Sequence, residues 1–194
     1  MKKGKIIVIS GPSGSGKTTL YKKLLDDKEI KKRIVKIVSF TTRPRREGER
    51  RGRDYVFASP KMFERKKKAG HFLETEKVFG HCYGTPKKKV QDVLDRGKNV
   101  LLCIDVKGAR TIRDKFPKAV TIFVRTPSLK VLACRLKERG SEDKDVLRMR
   151  LKIARKELKE IKKYDHVIIN SRLQTAYTRL NRVIKDEIAK EEGN

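Results

Sequence analysis

The sequence has no tryptophan, and aromatic residues make up only 6% of its 194 positions. Stacking platforms for nucleic-acid bases are therefore scarce. Cysteine occurs three times, at Cys82, Cys103 and Cys134, with no C-x-x-C spacing. That excludes a disulfide framework or a metal ribbon and predicts buried small thiols in a reducing compartment. No apolar stretch approaches the ~20 residues that a membrane span needs. The run Ile6-Ile7-Val8-Ile9 stops at Ser10-Gly11-Pro12, which is too short for a signal peptide. The expectation is a cytoplasmic protein. Internal repeats and Gly/Ser- or Pro-rich linkers are also missing, so the chain reads as one domain with a real core.

Acidic residues are in short supply. Asp and Glu number 24 against 52 Lys and Arg, a net charge of +28. Such a balance invites polyanions. The basic residues are dispersed, however, over 31–33, 43–53, 65–68, 87–89 and 148–163. No nucleic-acid module accompanies them. The excess reads as a solvated surface that draws anionic small substrates into a cleft. Neither a specific nucleic-acid partner nor a membrane is expected.

Residues 11–18 read Gly-Pro-Ser-Gly-Ser-Gly-Lys-Thr, a complete G-x-x-x-x-G-K-[ST] phosphate-binding loop. An apolar run precedes it and Thr19-Leu20-Tyr21-Lys22-Lys23-Leu24-Leu25 follows, which predicts strand, glycine turn and helix. Gly11, Pro12, Ser13, Gly14, Ser15 and Gly16 form the cradle. Their N–H groups and the helix start face phosphate oxygens. Lys17 reaches the β- and γ-phosphates of ATP, the Thr18 hydroxyl holds Mg2+, and Thr19 completes this ATP-binding set.

Strand and helix signals alternate along the chain, which argues for a parallel sheet covered by helices. Strands are predicted at 5–10, 35–39, 100–105, 119–124 and 166–170. Helices are predicted at 17–26, 107–115, 128–138, 144–163 and 173–190. The stretch 40–98 breaks this rhythm with an arginine-dense loop, a short strand at 55–57, a helical patch at 60–69, an extended region from Phe72 to Tyr83 and a helix near 86–96. It reads as a lobe inserted between two β-α units. A polar cluster at 135–150 reads as a mobile lid.

Ser39 to Tyr55 spell S-x-T-T-R-x-x-R-x-G-E-x-x-G-x-D-Y. Glu74, the segment Phe79-Gly80-x-x-Tyr83-Gly84-Thr85, and Ile104-Asp105 followed by Gly108 continue the pattern. In these residues the chain resembles guanylate kinase, over nearly its whole length. The resemblance implies an α/β fold of the P-loop kinase type, three-layered, with a central parallel sheet. It implies a single domain over 1–194, with a core at 1–39, 99–134 and 151–194. A small GMP-binding lobe of mixed strands and helix would occupy about 40–98, and a helical lid about 135–150. The implied activity is ATP-dependent phosphorylation of GMP, and of dGMP, to GDP, with Mg2+ accompanying ATP, by a monomer or homodimer.

The chemistry of the residues agrees with that resemblance. Arg43 and Arg46, three apart, can grip one phosphate with forked donors. Tyr55 and Tyr83 can add hydroxyl donors to it. A carboxylate, Glu74, accepts from both N1–H and the 2-amino group of guanine. A hydroxyl donor to O6, Ser39, rejects adenine, and Thr85 and Asp105 complete the base pocket. Taken singly, Glu74 is an exposed strand carboxylate, the tyrosines are sheet residues, and Asp105 caps the helix after it.

The resemblance places Arg135, Arg139 and Arg150 as lid arginines closing over the phosphates. Taken singly, each is a surface helix charge. Phosphoryl transfer relies on fixed cations around the moving group, a role that falls to Lys17, Arg43, Arg139 and Arg150. Asn170, at the end of the last strand, resembles the family's adenine-proximal Asn, with Ser171-Arg172 after it where two acidic residues are usual. Cys103, Lys107 and Cys82 also depart from the family pattern. Two rivals stay open: a ribose bisphosphate phosphokinase of the same fold, which would not need the Ser39–Glu74 pocket, and a non-catalytic guanylate-kinase-like binding domain, which would not need an intact phosphate loop.

Overall fold

A computed structural model describes residues 4–138 and 144–192. In chain order the elements are β1 (Ile6–Ser10), α1 (Lys17–Asp26), α2 (Lys28–Arg33), β2 (Ile34–Lys36), β3 (Phe40–Thr41), β4 (Val56–Phe57), α3 (Pro60–Lys68), β5 (Phe72–Val78), β6 (His81–Pro86) and α4 (Lys87–Asp95). They continue with β7 (Asn99–Cys103), α5 (Val106–Lys115), β8 (Val120–Arg125), α6 (Leu129–Glu138), α7 (Lys144–Leu158), a 3-10 turn (Lys159–Lys163), β9 (His166–Ile169) and α8 (Leu173–Glu192). One sheet has the order β2-β7-β1-β8-β9 and the other β4-β3-β6-β5. Strand β1 is buried at every position, as suits an inner strand of a parallel sheet covered on both faces.

The chain forms two compact units. The first contains the chain up to Ile7, Arg33–Leu102 and Arg110–Ala119. Here β2 pairs parallel with β7, Ile34 opposite Asn99. The mixed sheet sits in the same unit, with β5 and β6 antiparallel. Phe63 of α3 stacks on Phe72 of β5 at 4.7 Å between ring centres, and Phe40 meets Phe72 edge-on at 5.5 Å. The extended stretch expected from Phe72 to Tyr83 is a hairpin. Its two turn residues, Phe79 and Gly80, have φ of 48° and 80°, the pattern of a tight turn whose twist matches its strands.

The second unit contains Val8–Lys32, Cys103–Ala109 and the chain from Val120 onward. Strand β9 pairs parallel with β8, Ile122 opposite His166. Helices α6 and α7 bury Leu132, Leu136 and Ala154 together, with Leu129, Leu147 and Leu151 against them. Along α8 the apolar stripe buries Ala176, Leu180, Ile184 and Ile188. The helix expected over 144–163 is α-helical only to Leu158 and then tightens into the 3-10 turn. The tightening delivers Tyr164 to Phe123, edge-on at 4.9 Å, and Asp165 to Thr121, whose N–H and hydroxyl both donate to its Oδ2 at 2.7 Å.

Helix α2 was not expected, because of its residues only Ile30 is buried and no apolar stripe marks it. Asp27 starts it, with Oδ1 accepting from the Glu29 and Ile30 N–H groups at 2.9 and 3.3 Å. The thiols are free but not buried as expected: Cys82 and Cys103 are half-buried and Cys134 is exposed. Cys134 lies on a face of α6 that Leu132 and Leu136 leave to solvent. Among the described residues no helix is long and apolar enough to cross a membrane.

Candidate active site

The phosphate-binding loop folds as its glycines predict. A Cβ at Gly11 would collide with the Val124 carbonyl, and Gly11 has φ of 134°; only glycine lets β1 turn this close to β8. Lys17 opens α1 and folds back over the loop, its Nζ donating to the Gly11 and Pro12 carbonyls at 2.6 and 2.9 Å. Helix α1 starts without a side-chain cap, so its first N–H groups are directed at the loop. The Ser10 and Ser15 hydroxyls are buried with no protein partner. Thr18 and Thr19 are exposed beside the loop.

This cradle fits a polyphosphate: it offers uncapped N–H groups, two buried hydroxyls without a protein partner and one lysine. Among the described residues no three His, Cys, Asp or Glu side chains group to hold a metal. The Thr18 hydroxyl is a hard oxygen donor of the kind Mg2+ takes when phosphates supply other ligands.

Asp105 follows β7 and caps α5, with Oδ1 accepting from the Gly108 N–H at 2.7 Å. Burial raises its pKa, and the Gly108 bond and the charges of Lys17 and Lys107 pull it back. The cap role read for Asp105 taken singly is therefore present. Glu157 of α7 was missed by sequence reasoning. Burial pushes its pKa up to about 7, with Lys17 and Lys107 opposing and Asp105 adding to the rise. No signal marked it, since it sits in a helix dense in charge.

Arg135 is half-buried and turned onto the end of β9, its Nη2 donating to the Asn170 and Ser171 carbonyls at 3.0 and 3.3 Å. Arg150 is half-buried on α7. Arg139 lies outside the described residues. Asn170 is buried, and its Nδ2 donates to the Ser15 carbonyl at 2.9 Å.

The first unit carries the other set. Arg43 is buried, its Nη2 donating to Glu49 Oε1 at 2.7 Å and its Nη1 to the Pro44 carbonyl at 2.6 Å. Burial opposes its charge, but the Glu49 bond and Tyr83 outweigh that and raise its pKa. The guanidinium lies over the Tyr55 ring at 5.5 Å, and Tyr55 meets Tyr83 edge-on at 6.0 Å. Arg43, Tyr55 and Tyr83 are thus brought together. Arg46 is exposed; its backbone N–H donates to Glu49 Oε2 at 2.9 Å. Glu49 therefore organises both ends of the arginine loop, a role the motif contained but did not reveal. Asp54 supports the same loop, its Oδ2 accepting from the Arg50 N–H and Arg53 Nε at 2.9 and 3.0 Å.

Glu74 is buried and accepts from the fully buried Thr85 hydroxyl at 2.6 Å. A bulge between Phe72 and Glu74 sets this pairing: Phe72 lies opposite Pro86, and beyond the bulge Glu74 lies opposite Thr85. Without the extra residue Glu74 would face Gly84. Thr85 and Tyr83 alternate to the same side of β6. Ser39, buried just before β3, accepts at its carbonyl from the Val56 N–H at 2.9 Å.

Comparison with known proteins gives one answer. The family model described as guanylate kinase matches residues 3–187. A guanylate kinase of Clostridium tetani is 42% identical over 187 residues, 96% of this chain and 88% of its own length. One from Caldanaerobacter subterraneus subsp. tengcongensis is 41% identical over 194 residues, 100% of this chain and 92% of its own. The crystal structure of guanylate kinase from Anaplasma phagocytophilum superposes with a TM-score of 0.79 at 34% identity, covering 96% of this chain and 87% of that one.

Proposed function

From the premise that this chain belongs to the guanylate kinase family, we propose that it transfers the γ-phosphoryl group of ATP to GMP. An oxygen of the GMP phosphate bonds to the γ-phosphorus, the bond to the β–γ bridging oxygen breaks, and GDP and ADP leave. The observation that carries this reading is the buried Glu74–Thr85 pair. A buried carboxylate oriented by a hydroxyl suits the N1–H and 2-amino donors of guanine, and a base lacking them would offer it no donor. Ser39 adds the donor to O6, and Asp105 belongs to the same assignment. Arg43, Arg46, Tyr55 and Tyr83 receive the GMP phosphate.

The loop 11–16 with Lys17, Thr18 and Thr19 takes the ATP phosphates. Bound Mg2+, held through Thr18, would neutralise charge on the phosphate oxygens. The reading assigns to Lys17, Arg43, Arg139 and Arg150 the part of cations that stabilise the moving group, and to Arg135 a part in holding ATP. No general base is required of the protein, because the acceptor is already an anion. dGMP carries the same base and phosphate and is the second acceptor of this reading. The substrate pair agrees with a cytoplasmic location. The two rival readings are not favoured, since the curated relatives are guanylate kinases and the phosphate loop is intact.

The test is a coupled ADP-release assay with ATP and Mg2+, offering GMP, dGMP, AMP, CMP, UMP and ribose 1,5-bisphosphate. Turnover is expected with GMP and dGMP. Glu74→Ala is expected to raise KM for GMP about 100-fold and leave the ATP Kd unchanged. Turnover on the ribose bisphosphate, or equal loss of both substrates in the variant, would overturn the assignment.

A further inference from the structure

Asn170 follows the last residue of β9, and three hydrogen bonds hold it. Its N–H donates to the Arg125 carbonyl at 2.7 Å. Its own carbonyl accepts from Arg135 Nη2 at 3.0 Å. Its Nδ2 donates to the Ser15 carbonyl at 2.9 Å, across 155 positions of sequence. The residue is 4% exposed. The phosphate loop comes so close that a Cβ at Gly16 would collide with Nδ2, and Arg135 Nη1 lies 3.8 Å from the same point. Gly16 has φ of 89°, which a side chain would disfavour in any case.

These contacts fix a peptide plane. In a trans peptide the C=O of one residue and the N–H of the next point in opposite directions. With the Ser15 carbonyl held by Asn170, the Gly16 N–H faces the other way. That N–H belongs to the cradle whose amides bind phosphate. The bond uses one N–H of the Asn170 amide and holds the loop backbone whatever base the nucleotide carries.

We propose that Asn170 is a positioning residue of the phosphate loop, setting the Ser15–Gly16 peptide for the triphosphate of any nucleotide. The proposal rests on the reading of this loop as the phosphoryl-donor site. Arg135 ties the C-terminal end of α6 to the same residue, so the loop and the arginine share one support.

The experiment uses the full chain, as Asn170→Ala and Asn170→Asp, the second keeping the size while replacing the donor by a negative charge. Calorimetric titration with Mg2+ and ATP, CTP or inorganic tripolyphosphate is run beside a titration with GMP. The expected result in Asn170→Ala is weakening of about tenfold for CTP and tripolyphosphate as well as for ATP, with a larger loss in Asn170→Asp, whose charge also repels phosphate, and with GMP affinity unchanged in both. A loss confined to ATP would make Asn170 an adenine reader and overturn the proposal. So would unchanged binding of every triphosphate, or an equal loss of GMP. Circular dichroism follows folding, and if neither variant folds the bond supports the fold rather than the loop, which also overturns the proposal. Tripolyphosphate binding is read without GMP. A wild-type protein that binds triphosphates but never turns over GMP would refute the functional reading and leave this one standing.

Discussion

Replacing Glu157 by glutamine is expected to stabilise the nucleotide-free protein above neutral pH and leave it unchanged in acid. Burial pushes the folded carboxyl up to about 7 from an ordinary value of 4.5, against the pull of Lys17 and Lys107. The unfolded chain therefore gives up this proton first as pH rises. Stability is fully present below about 4.5, falls as pH rises between that value and 7, and then levels off. At 1.36 kcal/mol per pH unit, the ionised side chain costs the folded state about 3 kcal/mol. Glutamine keeps the shape of the neutral acid and carries no charge to bury. For a chain of this length that corresponds to about 6–12 °C in Tm. Thermal unfolding followed by circular dichroism from pH 5 to 8.5 measures it in both proteins. The gap between the two curves should open with rising pH and reach its full size near pH 8. A gap of constant size would mean that packing, not charge, separates them. A gap that closes with rising pH would refute the reasoning outright.

Gly16→Ala should cost more than tenfold in ATP affinity, because a Cβ there meets Asn170 Nδ2 and the residue has φ of 89°; titration with ATP and GMP should show the loss for ATP alone. Arg43→Lys should raise KM for GMP about tenfold or more, since an ammonium cannot keep both the Glu49 and Pro44 bonds and also present a fork to phosphate; an unchanged KM would remove Arg43 from the phosphate site. Asp165→Ala should lower stability by about 1–2 kcal/mol by removing the acceptor for the Thr121 N–H and hydroxyl. Denaturant unfolding measures that loss, and both KM values should stay at the wild-type level.

The phosphate loop was legible because its function and its local conformation use the same residues. Glycines permit the turn, the apolar run forms β1, and α1 occupies the predicted 17–26. The arginine loop was legible as a motif but not as a device. That Glu49 joins the Arg43 side chain to the Arg46 backbone depends on how the loop closes. Helix α2 escaped notice because a six-residue helix with one buried side chain has no period to detect. Glu157 escaped because nothing in its own helix distinguishes it from its charged neighbours.

Sequence alone determined the chemistry available: a loop able to hold phosphates, paired arginines, a carboxylate for a base, and strands and helices in alternating order. These follow from backbone freedom, side-chain type and short-range period, all properties of adjacent residues. Tertiary structure decided which of these groups meet. One bulged residue in β5 puts Glu74 opposite Thr85 instead of Gly84, and the pairing of β8 with β9 carries Asn170 back to Ser15. Register and strand order are set by the packing of a whole sheet, so no stretch of chain around Glu74 or Asn170 contains them.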